Sequence, residues 1–145
     1  MDPYLLLLLN AALALYLTGV IWVIQGVHYP LFAAVPAEAA PAYARQHVDR
    51  MGAVVGPAML LEVAVLGALY LTPNPDLPAG WILQNTLLLA VIWFNTFACS
   101  VPCHRKLTRS FDTQTHRRLL HTNWIRTAAW TLRAGLAVSA LWITR

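Results

Sequence analysis

The chain has 145 residues, 59% of them hydrophobic and only 11% charged, with a formal net charge of +4. A soluble domain carries about a quarter charged residues, so ten basic and six acidic side chains are too few to keep such a chain in water. Disorder is excluded too, because disordered chains are short of aromatics and this one has 6 Trp, 5 Tyr and 4 Phe.

What fits is an all-α protein solvated largely by lipid. No charge occurs between Asp2 and Glu38, which predicts a first spanning helix over about 5–29. At about 1.5 Å per residue, roughly 20 apolar residues cross a hydrocarbon core of about 30 Å. The segment does not read as a signal peptide: Met1-Asp2-Pro3 is no basic n-region, the apolar run is too long, and no cleavage-like site closes it. Pro30, Pro36 and Pro41 are expected to break the chain after it. A second span over about 52–72 holds a single charge, Glu62, and the stiff stretch Thr72–Gly80 makes an antiparallel neighbour of the charge-free third span, about 81–102. Asp112 stands where an N-cap belongs, so a helix beginning near Thr113 is expected to continue into the fourth span, about 123–143, whose interior charge is Arg133.

The expected fold is a single membrane domain over 1–145, a four-transmembrane-helix antiparallel bundle. Arg45, Arg50, Arg105, Lys106, Arg109, Arg117 and Arg118 fall in the two long connections, and only Arg145 on the other side. By the positive-inside rule both termini are then non-cytoplasmic, and the location is the inner cell membrane, multi-pass. The basic residues suit anionic lipid headgroups; a nucleic-acid partner is not expected, since no binding module accompanies them. Cys99 and Cys103, one turn apart, read as small apolar residues in a reducing compartment. Trp81, Trp124 and Trp142 fall at expected membrane interfaces.

A charge at mid-bilayer costs about 2.5–3.5 kcal/mol on insertion scales, so it turns to a partner or a cavity. Glu62 and Arg133 each lie about ten residues from the cytoplasmic end of their spans, hence at one depth, and are expected to pair. His116, Asn123, Arg126, Trp130 and Arg133 are spaced 7, 3, 4 and 3, Thr18, Gln25 and His28 are spaced 7 and 3, and Asn85, Asn95 and Cys99 share a third face. Lipid offers no hydrogen bonds, so these stripes should converge. The expected pocket has Glu62, Asn95 and Arg133 as its floor and Gln25, His28, Asn123 and Arg126 as its mouth. In an enzyme on a lipophilic small molecule, His28 would move a proton, Glu62 would be the paired acid, and Arg126 and Arg133 would hold an anionic oxygen, with Gln25, Asn95, Asn123 and Trp130 binding substrate. No Cys/His spacing matches a zinc site; were a metal bound, His28, His47 and His104 would be its ligands, and no cofactor can be named. Gly52 and Gly56 form a GxxxG that serves either close packing within the monomer, the reading favoured here, or a homodimer face.

Gly26–Phe32, Val101–Leu107 and Thr122–Thr127 together resemble the small four-helix bacterial membrane proteins grouped with anthrone-oxygenase-like domains. Those proteins have a His-Pro-like motif ending the first helix, a Val-Pro motif ending the third and a Trp/Arg motif opening the fourth. The resemblance implies an architecture more than a reaction, with His28, His104, Asn123, Trp124 and Arg126 at matching positions. Tyr29 between His28 and Pro30, and His104 where an amide is common, depart from the pattern. Four-helix bacterial protoporphyrinogen oxidase is similar in length and in its first-helix histidine, but relies on an intramembrane lysine, and the one lysine here, Lys106, is in a connection. Two other functions compete with the enzyme: a structural or assembly protein whose ion pair fixes packing, and a small dimeric transporter, against which stands the absence of an inverted repeat.

Overall fold

Asp2 starts the first helix, α1 (Pro3–Phe32): its carboxylate accepts the Tyr4 amide at 2.9 Å, and Pro3 takes a first-turn position whose N–H needs no partner. The computed structural model describes residues 2–144, so Met1 and Arg145, including the basic residue expected at the far side, lie outside the described residues. α1 does not stop at Pro30. It widens into a π-helical turn over Ile24–His28 and resumes as α-helix over Tyr29–Phe32. Proline removes one donor and crowds the carbonyl four residues back; the wider turn absorbs both, and the break expected at Pro30 falls after Phe32.

The second helix, α2 (Ala40–Leu71), begins well before the expected start near residue 52. Ala40, Ala44 and His47 are buried at helical spacing while Arg45, Asp49 and Arg50 stay exposed. This first part is amphipathic rather than apolar, which a search for uncharged stretches misses. Gly80, at φ +84°, closes the turn after α2 in a conformation that glycine adopts freely. The third helix, α3 (Trp81–Leu107), repeats the device of α1: a π-helical turn over Thr96–Ser100, with Pro102 two residues beyond it, as Pro30 stands two beyond His28. Asp112 caps the fourth helix, α4 (Thr113–Ile143), accepting the Thr115 amide at 3.1 Å, and the helix runs unbroken through the expected fourth span.

α1, α2 and α3 are each long and apolar enough to cross a membrane. α4 is as long, at 31 residues, but less apolar because it carries Asn123, Arg126 and Arg133 on its inner face. The neighbouring pairs are α1–α2, α2–α3, α3–α4 and α4–α1, with α2–α3 the sparsest. The alanine seam Ala11, Ala14, Ala134 and Ala137 lets α1 and α4 approach closely. An apolar cluster lies at each end of the bundle, one around Ile21, Phe32, Ile92, Leu107 and Leu119, the other around Leu6, Leu69, Trp81 and Ala140.

The outer faces are apolar, with Leu60, Leu71, Phe94, Phe97, Leu132 and Trp142 widely exposed, while Asn10, Gln25, Glu62, Asn85, Asn123 and Arg133 are buried. That distribution suits lipid outside and hydrogen bonds inside. Two expectations need correction. Trp81 is buried instead of marking an interface; its indole N–H donates to the Leu136 carbonyl at 3.0 Å, tying α3 to α4. Gly52 and Gly56 make no close packing within the monomer, since a Cβ on either would meet nothing within 4 Å.

Candidate functional site

The buried polar groups form two layers. In the inner one, Arg133 and Glu62 are both fully buried, and Arg133 Nη1 donates to Glu62 Oε1 at 2.5 Å. Trp130 Nε1 donates to the second carboxylate oxygen at 3.1 Å, and Arg133 Nη2 donates to Asn10 Oδ1 at 3.0 Å. The expected pair forms, but among its own partners. Trp130 holds the carboxylate instead of facing a substrate, and Asn10 belongs to the group although the stripes overlooked it. Its signal was an amide deep in the charge-free first span, away from Gln25.

The next layer links α1, α3 and α4. Asn123 Nδ2 donates to Gln25 Oε1 at 2.7 Å, Gln25 Nε2 to the Leu120 carbonyl at 3.3 Å, and Arg126 Nη1 to Ser100 Oγ at 3.2 Å and Asn123 Oδ1 at 3.4 Å. The Arg126 guanidinium also lies 5.1 Å from the centre of the Trp130 ring.

Beyond Arg126 the π turns decide the geometry. A π turn inserts one residue into the helical phase, so side chains after it face a different way from those before it. Tyr29 and His104, each just past such a turn, meet across the bundle with the Tyr29 hydroxyl 2.9 Å from His104 Nε2. His116 Nε2 donates to the Tyr29 carbonyl at 2.8 Å, fixing that segment to α4. The stripe Thr18–Gln25–His28 does not survive the phase change. Gln25 turns inward to Asn123, while His28 faces a separate shallow pocket beside Leu15, Tyr16 and Met51. Asn95 is buried, with Oδ1 unpartnered, and Cys99 is only half-buried.

Where α2 and α3 diverge they leave a cavity of about 590 Å³. Gly52, Val55, Gly56 and Met59 of α2 form one wall, Trp93, Phe97 and Ser100 of α3 the other, and Tyr29, His47, His104 and Arg126 the polar end. Of the four expected catalytic residues only Arg126 lines it; Glu62, Arg133 and His28 do not, nor do Gln25, Asn95, Asn123 and Trp130. Tyr29, Ser100 and Trp93 line it without having been expected.

Four residues lining this cavity each hold a buried polar atom with no hydrogen-bond partner: Arg126 Nε, His47 Nδ1, His104 Nδ1 and Trp93 Nε1. Buried polar groups are paired in the great majority of cases; of the nine unpartnered atoms among the described residues, four belong to residues around this one space. The three histidines considered as metal ligands do gather: His28 stacks on His47 with centroids 4.5 Å apart and planes at 18°, and His47 lies 5.0 Å from His104 at 33°. Stacked imidazoles present π-faces to each other, so their in-plane lone pairs do not meet at one point. Among the described residues no group of His, Cys, Asp and Glu is placed to hold a metal ion.

Comparison with protein-family models, curated proteins and solved structures gives no match to this chain.

Proposed function

We propose that the chain is a four-span antiparallel membrane protein of the inner cell membrane, with both termini on the non-cytoplasmic side, that takes a lipophilic small molecule from the bilayer into the cleft between α2 and α3. The observation that carries this reading is the set of four unpartnered polar atoms on residues that line a mainly apolar cleft. The volume lies in the usual range for ligand sites, about 300–1,000 Å³. The antiparallel arrangement is supported by the order of contacts between α1 and α4, where residues 10, 18, 25 and 29 meet 133, 130, 120 with 123, and 116.

The chemistry open to such a site is proton transfer. Tyr29 and His104 share a proton-bearing hydrogen bond at the inner end of the cleft, beside the Arg126 guanidinium. A histidine and a phenol so placed can exchange a proton with a bound molecule while the fixed positive charge steadies negative charge developing on it. Glu62 and Arg133 enter this reading as packing residues, because each already spends its charge on the other. Gly52 and Gly56 serve as a smooth wall of the cleft rather than a dimer face.

The test is to plug the cleft. Gly56→Phe places a ring where a Cβ meets no neighbour within 4 Å. Lipophiles extracted by organic solvent from purified wild type and from this variant are compared by mass spectrometry. A molecule retained by the wild type and lost from an equally stable variant supports the reading, and identical extracts refute it.

A further inference from the structure

We propose that the molecule held in the cleft bears a single oxyanion, ionised in its site and seated on Arg126; this rests on the reading of the cleft as a ligand site. Arg126 is only 6% exposed, and its polar neighbours, Ser100, Asn123, Tyr29, His104 and the Trp130 ring, include no carboxylate. A buried cation with neutral neighbours is costly to keep unless an anion reaches it.

The chain itself offers none. Of its six acidic residues only Glu62 is buried, and Arg133 takes it. Asp2, Glu38, Asp49 and Asp76 are exposed, and Asp112 pairs with Lys106 outside the bundle. Two arginines therefore lie two turns apart on one face of α4, one with its counterion built in and the other facing an apolar cleft.

The unpartnered atoms match the same head group. Arg126 Nε–H and Trp93 Nε1–H are donors with no acceptor, and His47 and His104 each have a free Nδ1 able to donate in one tautomer. An oxyanion with two oxygens is the acceptor that such a ring of donors completes, and a charge-assisted bond to guanidinium is about twice as strong as a neutral one. Toward the rim the lining is mainly carbon: Val55, Met59 and Phe97 enclose the body and Leu60 opens toward lipid, while Thr96, Thr108 and the exposed Arg105 are the other polar side chains on it. The class is a lipophilic acid, either free or as the head of an anionic membrane lipid.

The experiment uses the full chain in neutral-detergent micelles and nanodiscs, with dodecanoate as probe and dodecanol as its uncharged match, read by tryptophan fluorescence titration. Dodecanoate is expected to bind about tenfold or more tightly than dodecanol. Arg126→Gln should erase that preference, Arg126→Lys should keep much of it, and Gly56→Phe should remove binding of both. Nanodiscs containing phosphatidylglycerol that compete with dodecanoate assign the oxyanion to a membrane lipid; absence of competition assigns it to a free acid. Equal binding of the two probes, lost on Gly56→Phe, overturns the anion inference while the cleft stands. Binding that Gly56→Phe leaves unchanged, or no dodecanoate binding at all, overturns the anion inference and the ligand site together. If Arg126→Gln fails to fold, the dodecanoate/dodecanol ratio of the wild type and of Arg126→Lys still decides.

Discussion

Substituting Arg133→Met tests the inner layer most severely. It removes the Nη1–Glu62 bond of 2.5 Å and the Nη2–Asn10 bond of 3.0 Å. Glu62, with no exposure to solvent, keeps one donor, Trp130 Nε1 at 3.1 Å, and Asn10 is left with neither end of its amide paired. Breaking a buried ion pair from one side costs about 3–5 kcal/mol, because a bare charge stays behind. Glu62→Gln should cost a similar amount by stranding Arg133. The double substitution removes both charges and still leaves Trp130 an acceptor, so its loss falls to that of an orphaned neutral amide, about 1–3 kcal/mol.

The two single losses therefore should not add, and the coupling between the sites is expected at about 3 kcal/mol or more, some two orders of magnitude in the folded-to-unfolded ratio. Reversible unfolding in mixed micelles, followed by far-UV circular dichroism and extrapolated linearly in denaturant, measures all four corners of the cycle. Additive losses, or an Arg133→Met protein within about 0.5 kcal/mol of wild type, would falsify the claim that the pair neutralises two buried charges.

Asn123→Ala removes the donor to Gln25 and an acceptor of Arg126, and should cost about 0.6–2 kcal/mol in the same assay; no loss would mean that the amides find other partners. Gly56→Ala adds a Cβ that touches nothing and should stabilise α2 by about 0.5–1 kcal/mol through helix propensity; a destabilised protein would show that another helix or a second copy packs there. The Asp112 carboxyl is held well below the usual carboxylate range by the Lys106 ammonium at 2.7 Å and by Thr115. A depressed folded-state value means the contribution is complete above the unfolded value, about 3.9, and fades as pH falls toward the folded one. Wild type should thus lose protection of its Thr115 and His116 amides below pH about 4 in hydrogen exchange, while Asp112→Asn, still a good cap, should be flat there; parallel profiles would refute the assignment.

The unbroken apolar runs and the punctuation between them are enough to call for four long helices, since local composition alone governs where a chain can shed water. Glu62 and Arg133 were legible as partners for the same reason: each is the charge deepest in its span, both lie at one depth, and neither is tolerated by lipid alone. Asp112 was legible because capping is local. The start of α2 at Ala40 was not, because its first turns are amphipathic and gain stability only when Ala44 and His47 find the bundle.

The cleft was decided by tertiary structure. Counting along a regular helix put His28 with Gln25 and left Tyr29 outside the site. The π turns before Pro30 and Pro102 shift the phase, so that Tyr29 and His104 point at each other instead. Whether Gly52 and Gly56 pack or stand open depends on how far α2 diverges from α3, a distance that no local pattern encodes. Composition fixes which groups must leave the lipid; only the assembled helices fix which of them pair fully within the chain and which, like Arg126, keep one donor unpaired beside a cleft.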